Sequence, residues 1–254
     1  MKISIITVVL NNVNTIVDTI NSVLCQKYKN IEYIIIDGGS TDGTLSLLKS
    51  RRHQLSALVS EPDRGIYDAM NKGLKLANGD VIGFLNADDF YCNSEVISKV
   101  AREFELDSFL EANYADLIYV DKINTSKSIR YFKSTEFKQG LFLKGWCPPH
   151  PTFFVRRSVY EKFGYFNLNY RIASDVDLMM RFLEIHKIKT QYISQTWVKM
   201  RMGGTTTKNL KNIWIQNQEI LNSFRKEGLY VNTISFFIHK VISRSMQFLN
   251  HKII

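Results

Sequence analysis

The sequence predicts an α/β fold with a mostly parallel central sheet flanked by helices and followed by a helical C-terminal extension. Strand-like and helix-like segments alternate through the first 90 residues. Residues 31–36 form an almost continuous run of β-branched and aromatic side chains, which is typical of a strand covered by helices on both faces. The last 47 residues are basic and have helical periodicity.

The alternating segments predict seven elements in order. The strands are expected near residues 2–10, 31–37, 55–60 and 81–85, and the helices near residues 14–26, 43–51 and 66–77. Polar residues follow each strand, namely Asn11-Asn12, Asp37, residues 61–64 and residues 86–89. Because open parallel sheets bind ligands outside the carboxyl ends of their strands, we expect these four polar clusters to meet at one edge.

The chain is divided into a main domain, residues 1–206, and a C-terminal extension, residues 207–254, with helices expected near 209–227 and 231–250. The second helix combines basic residues with apolar residues at near-helical spacing: Ile234, Phe237, Ile238, Val241, Phe248 and Leu249. This pattern predicts an interfacial helix on anionic lipid. Packing against the main domain, or against a second subunit in a homodimer, explains the pattern equally well.

Net charge, cysteine spacing and the length of apolar runs exclude several classes of protein. The net charge is +9, and residues 208–254 hold seven Lys/Arg against Glu219 and Glu227, so +5 of it lies in the extension. No nucleic-acid-binding motif accompanies this charge, and nucleic acid is not an expected partner. The three cysteines lack metal-ligand spacing, Met1 leads directly into a strand, and no apolar run approaches about 18 residues. We expect a cytoplasmic protein.

Residues 86–89, Asn-Ala-Asp-Asp, follow an apolar strand and place two carboxylates at its end. Mg²⁺ and Mn²⁺ prefer oxygen ligands, and Mg²⁺ is typically held by one or two carboxylates and a substrate's phosphates. The pattern predicts a site for a cation and a diphosphate, although an isolated turn would use the same residue types. Glycines follow Asp37, but they form neither GxGxxG nor a P-loop, so ATP- or NAD-dependent chemistry loses support.

Taken in order, these segments resemble the bacterial family 2 glycosyltransferases, inverting enzymes with a nucleotide-sugar-binding GT-A fold. The resemblance rests on residues 7–11, 36–44, 61–73, 79–89, 150–154, 173–178 and 202–205. The Ile-Tyr-Asp-Ala-Met-Asn segment, residues 66–71, further resembles the subset that builds surface polysaccharides, including the colanic-acid type.

The resemblance implies a donor side and a metal ligand. Asp37 would bind the base or ribose of the nucleotide, Arg64 would pair with phosphate, and Thr7 and Asn11 would also contact the donor. Residues 86–88 would be the DxD-like element, with Asp88 binding Mn²⁺ or Mg²⁺. Asn86 replaces the more common acid and is expected to contact ribose or ordered water.

The resemblance also implies a base and an acceptor side. Asp175 would be the catalytic base, following Ser174 where many relatives carry Glu, although an acid here could also cap the next helix. His150 would border the acceptor pocket, unless it is a hydrogen-bonded structural histidine. A lid over the diphosphate would include Arg201, Gly203 and Gly204, unless the glycines form a plain turn.

The expected function is therefore transfer of a sugar, of hexosyl or N-acetylhexosaminyl type, from a UDP-sugar to a hydroxyl. The acceptor would be a glycan or an undecaprenyl-linked oligosaccharide at the inner face of the plasma membrane. Selectivity would depend on variable loops such as 107–147. A noncatalytic sugar-nucleotide- or membrane-binding module is the alternative, suggested by Asn86 and Ser174. A sugar-nucleotide pyrophosphorylase is disfavoured because its glycine- and arginine-rich loop is absent after Leu10.

Overall fold

The computed structural model describes residues 1–203 and 209–249. Its strands are β1 Ile3–Val9, β2 Ile31–Asp37, β3 Ala57–Ser60, β4 Val81–Phe84, β5 Phe90–Tyr91, β6 Ala112–Val120, β7 Ser128–Phe132, β8 Phe154–Arg156 and β9 Thr190–Arg201. Its α-helices are α1 Ile16–Leu24, α2 Thr44–Ser50, α3 Ile66–Leu76, α4 Val96–Leu106, α5 Arg157–Phe163, α6 Ser174–Met180, α7 Leu210–Lys226 and α8 Thr233–Leu249. The predicted elements of the first 85 residues and both C-terminal helices are confirmed.

The strands described form one sheet in the order β3-β2-β1-β4-β8-β6-β9-β5, and β7 pairs with β6. Strands β1 to β4, β6 and β9 run in one direction, whereas β5, β7 and β8 run in the other. The expected α/β class with a mostly parallel sheet is confirmed, and the antiparallel strands lie in the second half of the sheet.

Helices cover both faces of the sheet, and each face has its own apolar cluster. Helices α1, α2 and α4 pack on one face, and α3, α5, α6 and α7 pack on the other. Alternate residues of β2 point to opposite clusters, with Ile34 and Ile36 on the α3 side and Tyr33 and Ile35 on the α1 side. This burial on both faces explains the continuous apolar run in the sequence.

The strand register brings the predicted polar clusters together. Val9 pairs with Asp37, which pairs with Ser60, so β1, β2 and β3 end side by side. Val120 at the end of β6 pairs in parallel with Arg201 at the end of β9. The expected convergence at one edge of the sheet is confirmed.

The segment 107–147 is more ordered than the variable loops expected for it. It contains β6 and β7, and β6 is buried along nearly its whole length. Strand β6 pairs with β7, β8 and β9, so it is a central strand of the second half. Its Ala112–Val120 run is apolar enough to be buried, which the loop interpretation overlooked.

The C-terminal extension packs against the main domain. Ile220, Leu221 and Phe224 of α7 are buried in the cluster on the α3 side, as is Phe236 of α8. The outer face of α8 remains open, with the exposed apolar side chains Ile234, Ile238, Val241, Ile242, Met246 and Phe248. Among the described residues, no helix is both long and apolar enough to cross a bilayer.

Candidate active site

The loop after β4 holds two neighbouring carboxylates in different environments. Asp89 is fully buried, its backbone oxygen accepts a hydrogen bond of 2.7 Å from the Thr19 hydroxyl, and its Oδ2 accepts one of 3.5 Å from Asn86 Nδ2. Burial raises the pKa of Asp89 well above its usual range, and the charge of Asp88 acts in the same direction. Asp89 therefore supports the loop from inside.

Asp88 is half-buried and is the more exposed of the two carboxylates of this loop. Burial raises its pKa, while the positive charge of Arg201 opposes that change. Asn86 Oδ1 and Asp89 Oδ1 are buried without a hydrogen-bond partner. Three oxygen-bearing side chains, two of them with an unpaired oxygen, suit a hard cation.

The side chains of this loop do not complete the coordination shell of a metal ion. Among residues 1–203 and 209–249, no group of three or more His, Cys, Asp or Glu side chains is arranged to hold a metal ion. A cation bound here would need oxygen ligands from outside the protein, as Mg²⁺ sites that use substrate phosphates do. The residues present therefore fit a cation that binds together with a diphosphate.

Arg201 anchors this loop in the structure. It is buried at the end of β9, its Nη1 donates a hydrogen bond of 2.7 Å to the Asp88 backbone oxygen, and its Nη2 pairs with Asp18. The guanidinium also lies 5.0 Å from the centre of the Phe90 ring. In this structure the buried and paired guanidinium supports the loop, and the expected lid role of Arg201 stays a prediction. Gly203 is exposed with a φ of 109°, and Gly204 lies outside the described residues.

Two residues expected to bind the donor are fully buried. The Thr7 hydroxyl lies 3.1 Å from the Tyr33 hydroxyl inside the sheet. Asp37 Oδ2 accepts hydrogen bonds from the Ser60 hydroxyl at 2.6 Å and from the Ser40 backbone N–H at 3.1 Å. Both side chains have hydrogen-bond partners within the protein, and their expected contacts with the donor stay predictions. Asp37 holds the turn after β2 against β3.

Asn11 and Arg64 lie on the exposed part of the same edge. Asn11 has a φ of 50°, and its Oδ1 accepts a hydrogen bond of 2.8 Å from the Thr41 backbone N–H. Arg64 precedes α3, is 80% exposed and pairs loosely with Asp68 at 3.6 Å. Because an exposed ion pair contributes little stability, Arg64 is free to exchange Asp68 for a phosphate.

The predicted base lies at the start of α6. Asp175 Oδ1 accepts a hydrogen bond of 3.0 Å from the Tyr67 hydroxyl and one of 2.9 Å from its neighbour's backbone N–H. The Tyr67 hydroxyl also lies 2.8 Å from the Ile172 backbone oxygen. No side chain caps α6, so the capping alternative does not describe Asp175. Tyr67, which sequence reasoning did not single out, orients the half-buried carboxylate.

His150 connects the base to the end of β4. Its ring stacks on Phe84, the last residue of β4, with 5.6 Å between ring centres, and it meets Phe166 edge to face at 5.8 Å. Burial lowers the pKa of His150, and the nearby charge of Asp175 raises it. A histidine packed between two aromatic rings suits the expected role in binding the acceptor, which stays a prediction.

The C-terminal extension supplies a residue that sequence reasoning missed. Glu219 of α7 accepts hydrogen bonds of 2.8 to 2.9 Å from three consecutive backbone N–H groups, those of residues 171–173. These residues lead directly into Asp175. Glu219 is one of only two acids in the basic extension. An acid in so basic a segment was the feature of the sequence that could have indicated a specific role for this residue.

We expect Glu219→Gln to lower the catalytic rate at saturating donor and to leave donor affinity unchanged. The amide would turn its N–H₂ toward N–H donors, and losing such charge-assisted bonds costs about 1–3 kcal/mol. Thermal unfolding and steady-state kinetics measure both effects. Glu227→Gln is the matched control, because Glu227 lies roughly 12 Å farther along the helix. Equal behaviour of the two variants would exclude a positioning role for Glu219.

The fold and this edge of the sheet define a class. A mixed sheet covered by helices, with an acid after β4 and a second acid at a helix start near it, is the arrangement of a GT-A nucleotide-sugar-binding protein. The profile of Glycosyl transferase family 2 matches residues 4–164. Because this match covers more than half of the chain, the protein belongs to that family.

Related sequences carry the same class of name. The chain is 31% identical over 194 residues to the PGL/p-HBAD biosynthesis glycosyltransferase of Mycobacterium bovis (strain BCG / Pasteur 1173P2), covering 75% of this chain and 73% of the relative. It is 25% identical over 226 residues to an uncharacterized glycosyltransferase of Rickettsia typhi, covering 86% of this chain and 70% of the relative.

Solved structures with low sequence identity share the fold. S. aureus TarS 1–349 in complex with UDP-GlcNAc matches with a TM-score of 0.65 and 18% identity, over 99% of this chain and 72% of that one. The mannosyltransferase PcManGT from Pyrobaculum calidifontis, in complex with GDP-Man and Mn²⁺, matches with a TM-score of 0.64 and 18% identity, over 98% and 70%. This chain spans 43% of the longer S. aureus TarS chain.

Proposed function

We propose that the protein is an inverting, metal-dependent glycosyltransferase that moves a sugar from a UDP-sugar to a hydroxyl of a glycan or lipid-linked oligosaccharide. One observation carries the proposal: Phe84 at the end of β4 packs on Phe166, Phe166 stacks on Tyr67, and the Tyr67 hydroxyl bonds to Asp175. The strand that leads to the Asp88 loop and the helix start that carries Asp175 are thus joined by one cluster of side chains. This connection supports an acid that suits a cation and an acid that suits a base acting in one site.

In this proposal Asp175 accepts the proton of the acceptor hydroxyl while the hydroxyl oxygen attacks the anomeric carbon opposite the leaving diphosphate. Tyr67 donates its hydrogen bond to Asp175 and keeps the carboxylate in one orientation. As the acceptor oxygen bonds to the anomeric carbon, its proton goes to Asp175, the bond between the anomeric carbon and the diphosphate oxygen breaks, and the nucleoside diphosphate leaves with that electron pair. Inversion follows from attack on the face opposite the leaving group.

Asp88 would hold the cation together with the donor's diphosphate, and Asn86 would lie beside it. When bound, Mn²⁺ or Mg²⁺ supplies charge that stabilises the leaving diphosphate. Arg64 and Asn11 would contact the donor from the neighbouring strand ends, and Gly203 would belong to a closing segment. The structural neighbours bound to UDP-GlcNAc and to GDP-Man with Mn²⁺ support both a nucleotide-sugar donor and a divalent cation.

The acceptor and the cellular setting are also part of the proposal. The exposed apolar face of α8 supports peripheral contact with a membrane, which would bring a lipid-linked acceptor to the cleft. Surface polysaccharide synthesis of the colanic-acid type, a hexosyl or N-acetylhexosaminyl specificity and a homodimer stay predictions from the sequence.

We expect the full chain to gain thermal stability from one nucleotide diphosphate in the presence of Mn²⁺ or Mg²⁺, and to lose that gain with EDTA. Ligand at about 100 times its Kd adds roughly 2.7 kcal/mol to the free energy of unfolding. The measurement is the melting temperature with UDP, GDP, dTDP and their sugars. Uridine is the control, since it lacks the phosphates that complete the metal site.

Two other outcomes are informative. Stabilisation by GDP alone would replace the proposed UDP-sugar by a GDP-sugar. Stabilisation by a nucleotide-sugar without turnover of any supplied acceptor, and without hydrolysis of the donor, would favour the noncatalytic binding module. That alternative draws on Asn86 and Ser174, which replace acids common in relatives.

A further inference from the structure

Strand β7 and helix α8 bring three cations together, and we call Arg130, Lys240 and Arg244 the cationic cluster. Lys240 and Arg244 are one helical turn apart on α8. Arg130 lies on β7, and its guanidinium carbon is 5.6 Å from the centre of the Phe248 ring on α8. Burial lowers the pKa of Arg244, and the charge of Arg130 acts in the same direction. The charge of Arg244 also acts on Lys240, so Arg244 is repelled by both other members of the cluster.

No carboxylate neutralises the cationic cluster. Within residues 1–203 and 209–249, none of its three members lies within 4.0 Å of an acid side chain. Lys240 Nζ donates to the neutral Asn217 Oδ1 at 2.6 Å, and Arg130 Nε is buried without a partner. Burial and the charge of Arg244 lower the pKa of Lys240 to about 8.

Such an arrangement is unfavourable in the absence of a ligand. Partly buried cations lose hydration, and like charges at close range repel one another. A bound anion would reverse both effects, because it would supply the missing hydrogen-bond acceptors and the missing negative charge. Arginine and lysine in one cluster are the side chains that proteins use for phosphate groups.

The cationic cluster lies beside the proposed active site. Desolvation raises the pKa of the half-buried Cys147 thiol, the charge of Asp175 acts in the same direction, and the charges of Lys240 and Arg244 oppose it. Helix α8 lies close to the segment that contains Gly145 and Cys147. A Cβ added to Gly145 would lie 3.0 Å from Lys240 Cβ. The segment that α8 covers leads directly to His150. The cluster therefore lies beside the segment that leads to His150.

A second connection leads to the metal loop. The Arg130 guanidinium lies 3.7 Å from the centre of the Tyr119 ring. Tyr119 of β6 precedes Val120, which pairs with Arg201. Arg201 in turn donates to the Asp88 backbone oxygen. The cluster is thus joined through β6 and β9 to the loop of residues 86–89.

We propose that the cationic cluster is an anion-binding site that receives a phosphate or diphosphate group in the active-site cleft. The group would come from the nucleotide diphosphate of the donor or from a phosphate of the acceptor, which share this chemistry. The inference rests on the proposed transferase function and deepens it by adding a site to which the C-terminal extension contributes Lys240 and Arg244, outside the residues 4–164 that match the family profile, and to which β7 contributes Arg130.

The test measures binding to the full chain by calorimetry, with inorganic pyrophosphate as the probe. We expect Arg244→Gln to weaken pyrophosphate binding by roughly tenfold or more, the effect of losing a hydrogen bond to a charged group. Arg225→Gln is the matched control, since Arg225 is exposed on α7 and loses the same charge. Lys240→Gln serves as a second variant if the first does not fold.

Two further probes identify the source of the phosphate. Weaker binding of UDP with Mn²⁺ in Arg244→Gln would assign the cluster to the donor diphosphate. Weaker binding of farnesyl diphosphate, with UDP unchanged, would assign it to a phosphate-bearing acceptor. The inference is overturned if pyrophosphate binds wild type and Arg244→Gln equally, if Arg225→Gln weakens it as much, or if wild type does not bind it.

The binding test and the proposed function fail separately. A chain that transfers no sugar, yet loses pyrophosphate binding on Arg244→Gln, would retain the anion site and lose the transferase assignment. If the chain transfers sugar and Arg244→Gln leaves every binding constant unchanged, the transferase assignment would be retained and the anion site would be excluded.

Discussion

Asp175→Asn is expected to reduce sugar transfer by about 10²–10⁴-fold while donor binding stays unchanged. The amide has nearly the same shape as the carboxylate but cannot accept the acceptor's proton, and general-base catalysis contributes a factor of this size. Tyr67 still finds an oxygen acceptor at this position, so we expect little loss of stability. The measurements are the catalytic rate at saturating substrates and the affinity for the nucleotide diphosphate.

Asp107→Asn is the matched control for this change. Asp107 ends α4 on the opposite face of the sheet, where it pairs with Lys189, and its replacement is expected to leave the catalytic rate unchanged. If Asp175→Asn retained the rate of wild type, another group would have to accept the proton. If it lost donor binding as strongly as transfer, the separate roles assigned to Asp175 and Asp88 would be wrong.

Asp88→Ala is expected to abolish the stabilisation that a nucleotide diphosphate confers in the presence of Mn²⁺ or Mg²⁺. Asp88 is the half-buried carboxylate of its loop, whereas Asp89 is fully buried beneath it. Loss of a residue that only supports a metal ligand typically reduces affinity or activity by 10–100-fold, so loss of the ligand should cost on the order of 10²-fold or more in transfer.

The Asp88→Ala experiment separates binding from folding. Removing a half-buried carboxylate whose pKa is raised by burial should not lower the melting temperature of the ligand-free protein. Asp107→Ala is the control for a lost carboxylate elsewhere. Metal-dependent nucleotide binding that survives Asp88→Ala would move the metal site to other residues, with Asp89 the first to examine.

The sequence was sufficient for the order and type of the elements in the first 85 residues. Their signals are local, because strand alternation, turn residues and helical periodicity are set within about ten residues. The four polar clusters at the strand ends followed from the same local reading, since parallel strands linked by helices must end at one edge. The family resemblance also rested on short segments in a fixed order.

The structure showed contacts of individual side chains that the sequence did not indicate. Thr7 and Asp37 have residue types suited to a donor site, but both are buried and paired inside the sheet edge. Arg201 looked like a residue of a closing lid, yet Asp18, 183 residues away in the chain, holds it in place. Whether a polar side chain faces a ligand or its neighbours depends on packing, which local sequence does not encode.

The sequence by itself therefore determined the α/β class, the edge that carries the site, and the acids Asp88 and Asp175 as its candidates. Only the tertiary structure showed that the C-terminal extension contacts the segments next to these candidates, through Glu219 on residues 171–173 and through Lys240 against Gly145. The physical reason is that hydrogen bonds and charge interactions depend on distance in space, and the extension meets the base-bearing segment only after the chain has folded.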